Sequence, residues 1–67
     1  MRMKLKLFRI KKRLSQDKFA EKLGYSRGQY RLIESGEQPI SPKFLVAFVE
    51  VFGGTLEEAK ELTEREE

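Results

Sequence analysis

Apolar side chains recur along this chain three and four residues apart in short runs, a spacing that predicts five helices joined by tight turns and no strands. The first is expected over about residues 3–13, with Leu5 and Phe8 on one side. Ser15 then stands as an N-cap before Gln16–Leu23, where Phe19, Ala20 and Leu23 share a face. Gly24 follows as the residue able to take the left-handed conformation that ends a helix. Only Gly24, Tyr25 and Ser26 separate this helix from the third. Ser26 and Gln29 have capping-box spacing, so each side chain can satisfy the other's backbone N–H, and Tyr30 and Ile33 form the inward face. After a loop over residues 35–41, Ser41 and Pro42 place a cap before a proline at the first helical position, where the missing N–H costs nothing. The fourth helix, expected over residues 42–52, is the most apolar. Phe44, Leu45, Phe48, Val49, Val51 and Phe52 give it a broad stripe, so it should be the centre of the core. Thr55 and Glu58 repeat the capping box, and the fifth helix carries Leu56, Ala59 and Leu62 on one side and glutamates elsewhere.

With 67 residues there is room for one all-α domain over the whole chain, burying about 60% of the surface the unfolded chain exposes, and the acidic tail at 63–67 is expected to fray. The chain has neither cysteine nor histidine. That removes disulfides, thiolate metal sites, the commonest zinc ligand and the commonest general base, so no metal and no cofactor is expected. Enzyme is the least favoured class. The only dense group of acids, Glu57 to Glu67, lies on a solvated helix end with no apolar pocket around it. The apolar run beginning at Phe44 is far shorter than the roughly 20 residues that cross a bilayer, and no signal-peptide core follows the basic start. A soluble, unprocessed, cytoplasmic protein without membrane partner is the expectation.

Charge sharpens the picture. The net +3 divides into +9 over residues 1–31, with eleven Lys and Arg against Asp17 and Glu21, and −6 over residues 32–67. One half suits a polyanion, although a solvated basic helix shows the same clustering.

The informative stretch runs from Gln16 to Ile33: short helix, three-residue turn with Gly, short helix, the spacing of the bihelical DNA-reading unit. Ala20 stands where the helices must cross closely and Gly24 where the chain reverses. The residues Leu14-Ser15-Gln16, Phe19-Ala20, Leu23-Gly24-Tyr25-Ser26, Ile33-Glu34, Gly36 and the later Phe52-Gly53-Gly54-Thr55-Leu56-Glu57 carry a resemblance. Over roughly residues 5–62 the chain resembles the Cro and phage-repressor helix-turn-helix family, which includes bacterial regulators of the xenobiotic-response-element type. It departs from the family pattern at Tyr30, usually β-branched, at Lys18, usually acidic, and around residues 39–42. The resemblance implies a compact lambda-repressor-like fold of five helices, with helices two and three as the reading unit. It also implies a bacterial or phage-encoded transcriptional regulator acting on a double-stranded operator, and pairs the first helix with the third through Arg9 and Glu34.

On a helical wheel Arg27, Gly28, Arg31, Leu32 and Ser35 face away from Tyr30 and Ile33. By the family pattern Arg27, Gly28 and Leu32 take base-reading positions: Arg27 for guanine O6 and N7, Gly28 for close approach, Leu32 for thymine methyls. Gln16 at the second helix's N-terminus, with Ser26, Gln29, Arg31, Ser35 and Lys43, is expected on phosphates or in the general field. Lys4, Lys6, Lys11, Lys12 and Arg13 add to that field. The working unit is expected to be a homodimer, formed on DNA if not before, without a small-molecule ligand. The rival class is a protein-interaction module or antitoxin-like partner-binding protein. Met3, Leu7 and Ile10 form a second apolar stripe on the first helix, expected to pack on the fifth helix, with a dimer or partner surface as the alternative.

Overall fold

A computed structural model describes residues 1–66, and within them the chain folds into α1 (Met3–Lys11), α2 (Gln16–Leu23), α3 (Arg27–Ser35), α4 (Pro42–Phe52) and α5 (Leu56–Leu62), with no strand among the described residues. The architecture is all-α, five helices around one core.

Capping side chains set four of the five starts. Ser15 Oγ accepts from the Lys18 amide at 3.1 Å and Ser41 Oγ from the Phe44 amide at 3.2 Å. Ser26 and Gln29 exchange both bonds of a capping box (3.2 and 3.0 Å), as do Thr55 and Glu58 (3.1 and 2.9 Å). Each such cap stabilises by roughly 1 kcal/mol, which matters for helices of only seven to eleven residues. The reversal between α2 and α3 is a Schellman motif. Gly24 sits at φ 79°, ψ 28°, its amide donates to Glu21 O (3.1 Å), and the Tyr25 amide donates to Ala20 O (2.9 Å).

α2 packs on α3 and α4, α4 on α5, and α1 on α3. The core they enclose is aromatic at its centre. Phe19 is fully buried, stacked on Phe52 with centroids 4.9 Å apart and tilted against Tyr30 at 5.0 Å, while Phe8 fills the gap to Phe48 at 5.1 Å. Leu5, Ala20, Leu23, Ile33, Phe44, Leu45, Phe48 and Ala59 complete it. Burying each large apolar side chain stabilises by about 1.5–3 kcal/mol, and Ala20, fully buried, keeps α2 close to its neighbours.

Some expectations need correction. α1 stops at Lys11, not Arg13, because Arg13 turns to φ 58° and the chain doubles back so that Leu14 packs half-buried against the core. The Met3, Leu7 and Ile10 stripe does not pack on α5. α5 packs on α4 with Ala59 buried, leaving Leu7 53% and Ile10 49% exposed, and Leu62 lines one open groove with them. Leu56 is exposed, while Ala59 is buried and Leu62 half-buried on α5. On α4, Val51 points to solvent, because the stripe drawn from Phe44 to Phe52 is wider than the face its neighbours cover. Beyond α5 the described chain makes contacts back to its start and to the loop after α3. Thr63 is buried, the Glu66 amide donates to Met1 O at 3.0 Å, and an Arg65 guanidinium N–H donates to Gly36 O at 3.1 Å. Glu67 lies outside the described residues.

Candidate nucleic-acid interface

α3 is amphipathic along its whole length. Tyr30, Ile33 and Glu34 turn inward, which leaves Arg27, Gly28, Arg31 and Leu32 exposed on one continuous surface. Leu32, 37% exposed, is an apolar side chain turned away from the core. At Gly28 an added Cβ would meet nothing within 4 Å, so the fold itself does not require a glycine there. Ser26 and Gln29 are exposed, with Ser26 Oγ and Gln29 Oε1 occupied by the capping box. Ser35 is half-buried. Its hydroxyl lies 3.0 Å from Leu32 O and 2.8 Å from a carboxylate oxygen of Glu37, an acid that makes this end of the surface less hospitable to a phosphate. Lys43, at the start of α4, is exposed, with Nζ 6.0 Å from the Tyr25 ring centroid, a cation–π distance.

Behind this surface α3 is clamped through one carboxylate. Arg9 Nε donates to Glu34 Oε2 at 2.8 Å and Arg9 Nη2 to Oε1 at 3.2 Å, a two-point pair joining α1 to α3. The Tyr30 hydroxyl donates to Oε2 at 2.6 Å, and Gln16 Nε2 donates to Oε1 at 3.2 Å. Arg9 Nη1 also reaches Leu14 O at 2.8 Å. Burial alone would raise the Glu34 carboxyl, but the hydrogen bonds from Arg9, Tyr30 and Gln16 outweigh it and hold the group below the ordinary range. Burial, reinforced by the hydrogen bond to Glu34, pushes the Tyr30 phenol far above its ordinary value. No buried side-chain nitrogen or oxygen among the described residues lacks a partner, so the network is closed.

The structure thus brings together Arg9, Glu34 and Gln16, sets Ala20 and Gly24 at the crossing and the reversal, and gathers Arg27, Gly28, Arg31 and Leu32 on one face. Gln16 is half-buried with one amide N–H committed to Glu34, so a phosphate there would meet a side chain already fixed to α3.

Two contributors escaped the sequence reading. The Tyr30 hydroxyl was legible in principle, since Tyr30 and Glu34 are four residues apart on one helix. Arg2 was not. It is 5% exposed, its Nε donates to Thr63 O at 2.8 Å, its Nη1 to Gln38 O at 2.7 Å and to Ile33 O, and its amide to Glu34 O at 2.9 Å. A cation beside a chain start carries no periodic signal.

The chain matches the Cro/C1-type helix-turn-helix family model over residues 5–58, most of its length, and belongs to that family of DNA-binding transcription regulators. Comparison with curated proteins and with solved structures finds no match.

Proposed function

We propose that the protein is a sequence-specific repressor that inserts α3 into the major groove of a double-stranded operator. The observation that carries this reading is the outward face of α3: Arg27, Gly28, Arg31 and Leu32 exposed together on a helix whose other side is locked by Arg9 and Glu34. Arg27 reads guanine through O6 and N7, and Leu32 packs on thymine methyls. Gly28 supports the same assignment. A glycine inside a helix costs roughly 0.5–1 kcal/mol relative to alanine, and since nothing in the fold occupies the space, the benefit lies in close approach of another molecule. Gln16 and Lys43 hold flanking phosphates, and bound operator excludes polymerase from the same duplex.

The test begins with selection of duplexes from a random pool, followed by Arg27→Ala on the selected site. Specific binding is expected to weaken by about 1–3 kcal/mol with preference relaxed at one base pair, while binding to random duplex changes little. An equal loss on both duplexes would make Arg27 a phosphate contact and refute its assignment; failure of the wild type to select any sequence would refute the function.

A further inference from the structure

The exposed stripe on α1 is independent of the DNA-reading face and has its own chemistry. Met3, Leu7 and Ile10 are 38%, 53% and 49% exposed, and beside them Lys4, Leu7, Phe8, Ile10, Lys11 and Leu62 line an open groove of about 410 Å³ between α1 and the end of α5. At 100° per residue, Lys4 and Lys11 stand along one edge of the stripe and Lys6 along the other. α1 contains no acid. Among the described residues the ion pairs within 4.0 Å are Arg9 with Glu34 and Lys18 with Glu21, so the cations bordering the stripe have no carboxylate in contact.

We infer that this face docks an acidic amphipathic helix of another protein, laid along α1 with its apolar side on Met3, Leu7 and Ile10 and carboxylates over Lys6 on one edge and Lys4 and Lys11 on the other. Charge complementarity selects this occupant. A second copy placed here stripe to stripe would set lysine against lysine. DNA phosphates match the lysines but gain nothing from three large apolar side chains between them. A membrane would need the helix to sink, and α1 is pinned by Leu5, fully buried, and by Phe8 against Phe48 and Phe52. Glu58 and Glu61 share a hollow with Lys4 on the α5 side and would repel the partner, so its path keeps to α1.

The probe is a synthetic helix of about 15 residues with leucine at i, i+3 and i+7 flanked by glutamates, compared with the same leucines flanked by lysines. The full chain is expected to bind the acidic peptide at least about tenfold more tightly than the basic one, with amide NMR shifts confined to residues 3–11 and Leu62. The double variant Leu7→Ser, Ile10→Ser is expected to lose about tenfold for the peptide and nothing for the selected operator, which separates this surface from the DNA-reading one. Equal binding of the two peptides, shifts mapped elsewhere, capture of anionic phosphatidylglycerol vesicles with no peptide preference, or DNA-free dimerisation abolished by the double variant would each overturn the inference.

Discussion

At the scale of single residues, the Glu34 carboxylate governs the pH dependence. Its native-state value is held below the ordinary 4.5, so the stability it contributes is fully present above that ordinary value and disappears as pH falls through the depressed native one. Tyr30 behaves in the opposite sense. Its native value is raised, so its contribution is complete below the ordinary 10.0 and is lost as pH climbs above it, where the unfolded phenol ionises and the native one does not. Tyr30→Phe keeps the ring that packs on Phe19 and removes only the 2.6 Å bond to Glu34. It is expected to cost about 1.5–3 kcal/mol in urea unfolding at pH 7, the range for a hydrogen bond to a charged group. The difference should narrow as pH falls through the depressed native value and Glu34 takes up its proton, and above the ordinary 10.0 of the phenol the variant should lose less stability than the wild type. A pH-independent difference between the two would mean that the hydroxyl does not act through the carboxylate.

At the scale of elements, the five helices were legible because their punctuation is local. Ser15, the Ser26 and Gln29 pair, Ser41 with Pro42, the Thr55 and Glu58 pair and Gly24 act on the backbone within four residues of themselves, and sequence spacing reports that range directly. The face of α3 was legible for the same reason, since Tyr30 and Ile33 define inside and leave Arg27, Gly28, Arg31 and Leu32 outside. The docking of α1 and α5 was not, because apolar stripes say that a side wants cover and not which neighbour supplies it. α1 has two such stripes and only the Leu5 and Phe8 side is covered. Gly28→Ala tests the division between stability and reading on α3. The substitution is expected to raise unfolding stability by about 0.5–1 kcal/mol, since the new methyl meets open space on a helical backbone, while weakening operator binding. Tighter binding in the variant would remove close approach as the reason for this glycine. Arg2 ties elements that no local signal connects: the end of α3 through Ile33 O, the following loop through Gln38 O and the end of α5 through Thr63 O. Arg2→Ala is expected to cost at least about 2 kcal/mol by leaving buried carbonyls unpaired. Amide exchange should rise first over residues 33–38 and 63–66; a uniform rise across all five helices would show that the clasp is not local.

At the scale of the whole molecule, size decides what one copy can read. The described Cα trace spans 27 × 25 × 22 Å, less than the roughly 34 Å between successive major grooves on one side of a duplex, so on the proposed reading one copy would present one recognition helix to one half-site. A single module of this kind buries only about 600–1,000 Å² on DNA, too little to discriminate among the sites of a genome. Two copies related by a two-fold axis would set two α3 helices one turn apart on a near-palindromic operator. The acidic exposed side of α5 is a poor self-contact, since Glu57, Glu58, Glu61 and Glu64 would face their symmetry mates. The corner where α4 meets α5 is better suited. Val51 and Leu56 are 43% and 48% exposed there, beside the turn at Gly53 and Gly54, and the lysine-edged stripe on α1 is left free. Sedimentation of the protein with a selected operator is expected to give two chains per duplex, and footprinting to protect two half-sites about one helical turn apart. Leu56→Glu should leave the fold intact, because Leu56 is half in solvent, and reduce binding to the paired site far more than to an isolated half-site. A complex of one chain per duplex, protecting a single half-site at full affinity, would rule the dimer out; an unchanged ratio between paired and single sites in Leu56→Glu would move the contact away from this corner.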